Sequence, residues 1–254
     1  MQVSAKAPII EMRGIGKAFS AGSIECHVLT DIHLNVRQGE FVSVAGPSGC
    51  GKTTLLSLMG LLDRPSGGEL HFGGQPVHDL GRAERALLRN RHIGFVFQAF
   101  NLIEDLSVAE NVALPLSFHG KLSKHERNRR VHDVLASVGM AHRMRHYPSQ
   151  LSGGQKQRVA VARALVGDPA IVLADEPTGN LDLHNGEIVM ALLGRLHAEG
   201  RTICMVTHDE RFGAMADRTI RLLDGRIVDE STFQQRHSEA ESGLDEYRLH
   251  ESLL

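Results

Sequence analysis

The chain has 254 residues, enough for one or two packed domains with a large core, and its 28 basic and 30 acidic side chains leave a formal charge of -2. That balance excludes a nucleic-acid coat protein, which needs a clustered positive excess, and no apolar run approaches the roughly 18 residues of a membrane span or forms a signal peptide after the start MQVSAKAPIIEMR, so a soluble, cytoplasmic chain is expected. Its three cysteines, Cys26, Cys50 and Cys204, are widely spaced and odd in number, which argues for reduced thiols rather than disulfides or a zinc site.

In chain order, residues 1 to about 40 alternate short apolar runs with turns, as in IIEMRG and VLTDIHLNVRQGE, and predict antiparallel strands with one face in water. FVSVAG then reads as a short strand buried on both faces, followed by a glycine loop and a helical pattern, TTLLSLMGLLDR, that stops before PSGG. Residues from about 99 to 165 read as mainly helical, with Val131, Val134, Leu135 and Val138 on one stripe of the middle segment. AIVLADE, GEIVMALLGRLHAEG and TICMVTHD follow as strand, helix and strand, the pattern of parallel neighbours joined by a right-handed crossover. From Asp229 the chain turns polar and acidic, with Phe233, Tyr247 and a few leucines as its core formers, and predicts a mobile tail or a loosely docked helix.

The glycine loop, GPSGCGKTT, carries the first chemistry. Gly46, Gly49 and Gly51 let backbone N–H groups curl around phosphate oxygens with no side chain in the way, Pro47, Ser48 and Cys50 complete the nucleotide-binding stretch, and the positive end of the following helix points at the same anion. Lys52 is placed to reach the β- and γ-phosphates, Thr53 to ligate magnesium, and Thr54 to extend the amide cradle. No lysine follows an asparagine, so the Asn-Lys-x-Asp element of guanine-specific proteins is missing and adenine is favoured. Phe19 is the candidate stacking partner for the base.

AIVLADEP brings two adjacent carboxylates to a strand end. Alternation of side chains separates their tasks, so Asp175 fits a magnesium ligand and Glu176 the group that orients and polarises attacking water. His208 ends another strand and would emerge along the same edge, within reach of a γ-phosphate oxygen. A second glycine turn, LSGGQ, opens a helix with Ser152 at its cap, followed by Gly153, Gly154 and Gln155. Hydroxyl, amides and helix dipole make it an anion site, yet one chain holds a single lysine loop. A second copy bringing its own nucleotide would fill it.

Taken together, GPSGCGKT, Gln98 in FVFQAFNL, LSGGQ, ADEPTGNLD and the THD histidine resemble the ATP-binding subunits of ABC transporters, in that family's order, from Phe19 to about Val228. The resemblance implies an α/β fold with a P-loop NTPase core and mainly parallel sheet, an N-terminal antiparallel β-subdomain and an α-helical subdomain. It implies residues 1–228 as the ATPase domain, with about 99–160 helical, and 229–254 as an extension. It also implies ATP and Mg2+ as cofactors and a head-to-tail homodimer, each ATP lying between the Lys52 loop of one copy and the Ser152 turn of the other. Gln98 would sense magnesium and the nucleotide state, and Asn180, Leu181 and Asp182 would cross the dimer axis. The wording ENVALPL, ADEPTGNLD and THDERFGAMADR is most similar to the MacB, LolD and FtsE group, and HNGEIVM leans to macrolide and peptide exporters. A separate integral membrane permease would then be the partner, holding the chain on the inner face of the membrane. An FtsE-like signalling ATPase without transport is the alternative.

Overall fold

The computed structural model describes residues 8–21, 24–118, 120 and 122–236. In chain order its strands are β1 (Pro8–Ala21), β2 (Ile24–Arg37), β3 (Phe41–Ala45), β4 (Gly67–Phe72), β5 (Gln75–Pro76), β6 (Ile93–Phe97), β7 (Ile171–Asp175), β8 (Thr202–Val206), β9 (Arg218–Leu223) and β10 (Arg226–Val228). The helices are α1 (Lys52–Met59), α2 (Arg82–His92), α3 (Val108–Ala113), α4 (Lys124–Ser137), α5 (Gly153–Leu165), α6 (Leu183–Ala198) and α7 (Glu210–Gly213).

Two sheets result. β1 and β2 pair antiparallel, Ile15 opposite Ile32, and with β4 and β5 they form a sheet in the order β2-β1-β4-β5. The second runs β10-β9-β3-β8-β7-β6, parallel throughout except for the terminal β9–β10 hairpin. Its central strands are buried on both faces, as the continuous apolar runs require. Val42, Val44, Ile171, Leu173, Cys204 and Val206 face one core, shared with α1 and the antiparallel sheet. Phe41, Val172, Ala174, Ile203 and Met205, their immediate neighbours in sequence, face the other core, shared with α5 and α6. Because β3, β8, β7 and β6 run parallel, their C-terminal ends and the loops that follow gather at one end of the sheet.

The expected α/β architecture is thus present, with differences in detail. α1 stops at Met59 instead of reaching Arg64. Gly60 caps it against the Phe95 ring, where a Cβ would lie 2.2 Å from Cζ, and Leu61 turns left-handed with φ 55°. The stretch expected to be mainly helical begins with a non-helical segment, because Phe100 and Asn101 adopt φ 60° and 51°. Arg163 of α5 donates to both their carbonyls and holds that turn. Three packed helices, α3, α4 and α5, make the helical region, and the stripe on α4 buries Val131 and Leu135 in the second core. β4, α2 and β9 have no counterpart in the sequence reading.

Of the two forms expected for the extension, a mobile tail or a docked helix, its first part takes the helix. Residues 230–236 are helical and Phe233 is buried. Tyr247 lies outside the described residues. The thiols are free, as expected, and burial pushes that of Cys204 up to about 12. Among the described residues no helix is long and apolar enough to cross a membrane.

Candidate nucleotide site

β3 delivers the chain to the glycine loop at the sheet edge. Gly46 leaves no room for a side chain, since a Cβ there would stand 2.1 Å from the Leu222 carbonyl oxygen of β9. Gly49 and Gly51 take φ 79° and 103°, left-handed values that only glycine adopts without strain, and Gly51 caps α1. The loop therefore opens its amides toward the N-terminus of α1. Lys52 folds back over it and donates to the Gly46 and Pro47 carbonyls at 2.8 and 2.7 Å, with its side chain largely buried. Cys50 lies beneath, its thiol pushed up by burial.

β7 supplies the carboxylates beside this loop. Thr53 Oγ1 lies 3.4 Å from Asp175 Oδ1, uniting a hydroxyl and a carboxylate 122 positions apart in sequence. Burial holds the Asp175 carboxyl above its ordinary range, aided by the Glu176 charge and opposed by Thr53 and Lys52. Glu176 leaves the strand with φ 44°, its amide donating to the Val206 carbonyl of β8 at 3.0 Å. This strained turn swings its carboxylate to 3.3 Å from His208 Nδ1. Glu176 and His208, with the 46–54 loop and Val28, line one cavity of about 380 Å³.

Gln98, at the end of β6, engages Asn180: its amide nitrogen donates to Asn180 Oδ1 at 3.3 Å, and Asn180 Nδ2 donates to the Gln98 carbonyl at 3.0 Å. Phe19 is 46% exposed, outside the lining of the cavity, with Lys17 Nζ 4.7 Å from its ring centroid.

The 152–155 turn stands apart and contributes nothing to that lining. Ser152 Oγ accepts from the Gln155 amide at 3.3 Å and Gln155 Oε1 accepts from the Ser152 amide at 3.0 Å, a closed capping box. Packing accounts for Gly154, whose Cβ would stand 2.1 Å from Asn185 Oδ1, while one at Gly153 would touch Leu181 at 3.4 Å. Local structure thus explains residues that the sequence reading reserved for a ligand. Asp182 caps α6, accepting from the Asn185 amide at 2.9 Å and side chain at 2.7 Å, and the same Asn185 side chain packs against Gly154.

Comparison with known proteins places the chain in a family. The family model described as ABC transporter matches residues 29–179. A macrolide export ATP-binding/permease protein, MacB 1/2 of Paracoccus denitrificans, is 48% identical over 222 residues, 87% of this chain and 33% of that protein. The uncharacterized ABC transporter ATP-binding protein MJ1508 of Methanocaldococcus jannaschii is 45% identical over 221 residues, covering 87% of this chain and 98% of its own. The solved structure of the ATP-binding cassette MJ0796, dimeric in a post-hydrolysis state bound to ADP and Pi, superposes with a TM-score of 0.80 at 42% identity, over 87% of this chain and 97% of the cassette.

The chain belongs to the ABC transporter family.

Within the family it is an ATP-binding subunit of the MacB, LolD and FtsE group, with the ABC ATPase fold. The chain spans about a third of the length of the MacB relative. Several residues of the cassette escaped the sequence reading. Gln157 is wholly buried and donates to the Pro177 carbonyl at 2.6 Å, tying α5 to the turn after Glu176. Arg163 and Val28 were missed too, because nothing local marks a residue that acts through a distant backbone. Asn185 was legible, as an Asp-x-x-Asn spacing at the start of a helical pattern.

Proposed function

We propose that two copies of the cassette close head to tail around two ATP molecules with magnesium, and that closure drives a membrane permease exporting or releasing a macrolide, peptide, lipid or lipoprotein substrate. The chain would then lie on the inner face of the cell membrane through the permease. In this reading Lys52 exchanges the Gly46 and Pro47 carbonyls for β- and γ-phosphate oxygens, and the amides of the 46–54 loop hold the rest of the triphosphate. Thr53 and Asp175 offer the hard oxygen donors that suit magnesium, with Gln98 in support and phosphate oxygens completing the set. Burial of Asp175 favours that assignment, since a bound cation would repay the cost of its charge. Magnesium supplies charge neutralisation for phosphoryl transfer. Glu176 orients the attacking water, and His208 beside it meets the γ-phosphate. Phe19 offers an exposed ring for adenine.

The observation that carries the dimer is the separation of the two glycine turns. One lines the cavity with Glu176 and His208, and the other presents an exposed Ser152 elsewhere on the chain. Ser152 uses its oxygen as a cap acceptor and keeps its O–H as a donor for a second copy's phosphate. ATP touching both halves only in the closed form favours closure by that difference in contact. An apolar groove of about 690 Å³, lined by Leu87, Phe95, Phe97, Leu114, Pro115 and Phe118, adjoins Gln98 and offers the permease a seat. The test is Glu176→Gln. It should retain ATP, stall hydrolysis and accumulate as an ATP-dependent dimer in gel filtration, whereas a variant that stays monomeric with ATP and magnesium removes the sandwich.

A further inference from the structure

The start of the C-terminal extension is anchored at two points behind the nucleotide site. Asp229 caps the helix over 230–236, its Oδ1 accepting from Ser231 Oγ at 2.6 Å and the Thr232 amide at 2.7 Å. One turn on, Phe233 is buried with its ring centroid 4.7 Å from the Arg221 guanidinium, while Glu230 accepts from Arg221 Nε at 2.7 Å and Nη2 at 3.0 Å. Arg221 is thereby fixed on β9 opposite Ala45, the last residue of β3 before the glycine loop. It lines a cavity of about 270 Å³ together with Ala45, Thr207, His208 and Asp209. The next carbonyl, that of Leu222, is the one that confronts Gly46. The second anchor is Arg236, 3.3 Å from Asp224 in the β9–β10 turn. In that turn the Gly225 amide donates to the Cys50 carbonyl of the loop at 3.2 Å.

We propose that residues 229–236 form a clasp that positions the His208 turn through Arg221 and the glycine loop through the β9–β10 turn, making Arg221 and Phe233 positioning residues for hydrolysis. The proposal rests on assigning hydrolysis to the Lys52, Glu176 and His208 site. Relative strengths rank the contacts. Glu230 and Asp224 are 52% and 76% exposed, so their ion pairs are screened and weak. Burial of Phe233 and its stack on Arg221, whose side chain is 19% exposed, is the stronger anchor.

In the full chain, Phe233→Ala should lower kcat about three- to tenfold with KM changed less than about twofold, because the ligand-binding groups remain while their setting loosens. Amide hydrogen exchange in residues 46–51 and 207–210 should quicken by a similar factor while α4 is unchanged, and Glu230→Ala should give the same pattern more weakly. Unchanged exchange in both loops overturns the clasp, as does equal quickening in α4, which would mean general destabilisation. If Phe233→Ala does not fold, Glu230→Ala decides by the same criteria. If the parent chain itself fails to hydrolyse ATP, the hydrolysis reading falls, and the exchange data still settle whether the clasp exists.

Discussion

Gly46→Ala tests the geometry of the phosphate cradle most directly. The added Cβ would stand 2.1 Å from the Leu222 oxygen, 2.8 Å from Cys50 Sγ and 3.1 Å from the Leu222 carbonyl carbon. The main obstacle is backbone in a strand paired with both β3 and β10, so it cannot rotate away as a side chain would. Loop and strand must separate by about 1 Å, an overpacking worth about 1–3 kcal/mol. At 254 residues that corresponds to a fall in Tm of about 2–12 °C. The larger effect is on the ligand, since about 1 Å of misplacement of a positioning group can cost about 100-fold in rate. Gly49→Ala is the control, having φ 79° but no atom of the described residues within 4 Å of its Cβ, so it carries backbone strain without collision. Thermal melts, titration with a fluorescent ATP analogue and steady-state phosphate release would compare the two. Gly46→Ala should lose affinity and turnover well beyond Gly49→Ala. If Gly46→Ala matches the parent in melting temperature and nucleotide affinity, the close packing of β9 on the loop is refuted.

Lys52→Ala removes the cation that bridges the Gly46 and Pro47 carbonyls and should reduce ATP turnover at least about 100-fold in a phosphate-release assay, so full activity would remove the loop's assignment. Asp175 has a raised pKa in the folded chain, so the folded state holds its proton more tightly than the unfolded state. Its charge therefore costs stability above that window and nothing below the ordinary carboxylate value near about 4. Asp175→Asn should accordingly raise Tm at neutral pH without magnesium or nucleotide, lose that gain as pH falls toward about 4, and abolish magnesium-dependent hydrolysis. A lower Tm at neutral pH would contradict this. Ser43 Oγ is fully buried with no hydrogen-bond partner among the described residues, so Ser43→Ala should stabilise the protein by about 1 kcal/mol, or about 2–4 °C in a melt, and a fall in Tm would contradict this.

Much of the site was legible because its chemistry is local. Gly46, Gly49, Gly51, Lys52 and Thr53 sit in one loop, where backbone conformation and helix polarity follow from residue type at short range. The Ser152 turn was legible as a capped helix start offering an anion site to a second copy. Gln155 closes the capping box within three residues, whereas the contact of Gly154 with Asn185 joins segments about thirty positions apart that no local pattern reveals.

The amino-acid order alone settled the antiparallel start of the chain, the strand–loop–helix unit at residues 41–59, the strand–helix–strand unit at residues 171–206 and the phosphate loop, since hydrophobic periodicity and glycine placement act within a few residues. Tertiary structure alone decided the rest. It brought Thr53 to Asp175 and Glu176 to His208, ended α1 against Phe95, and docked Phe233 on Arg221. Each of these depends on which strand lies beside which, and therefore on packing between elements far apart along the chain.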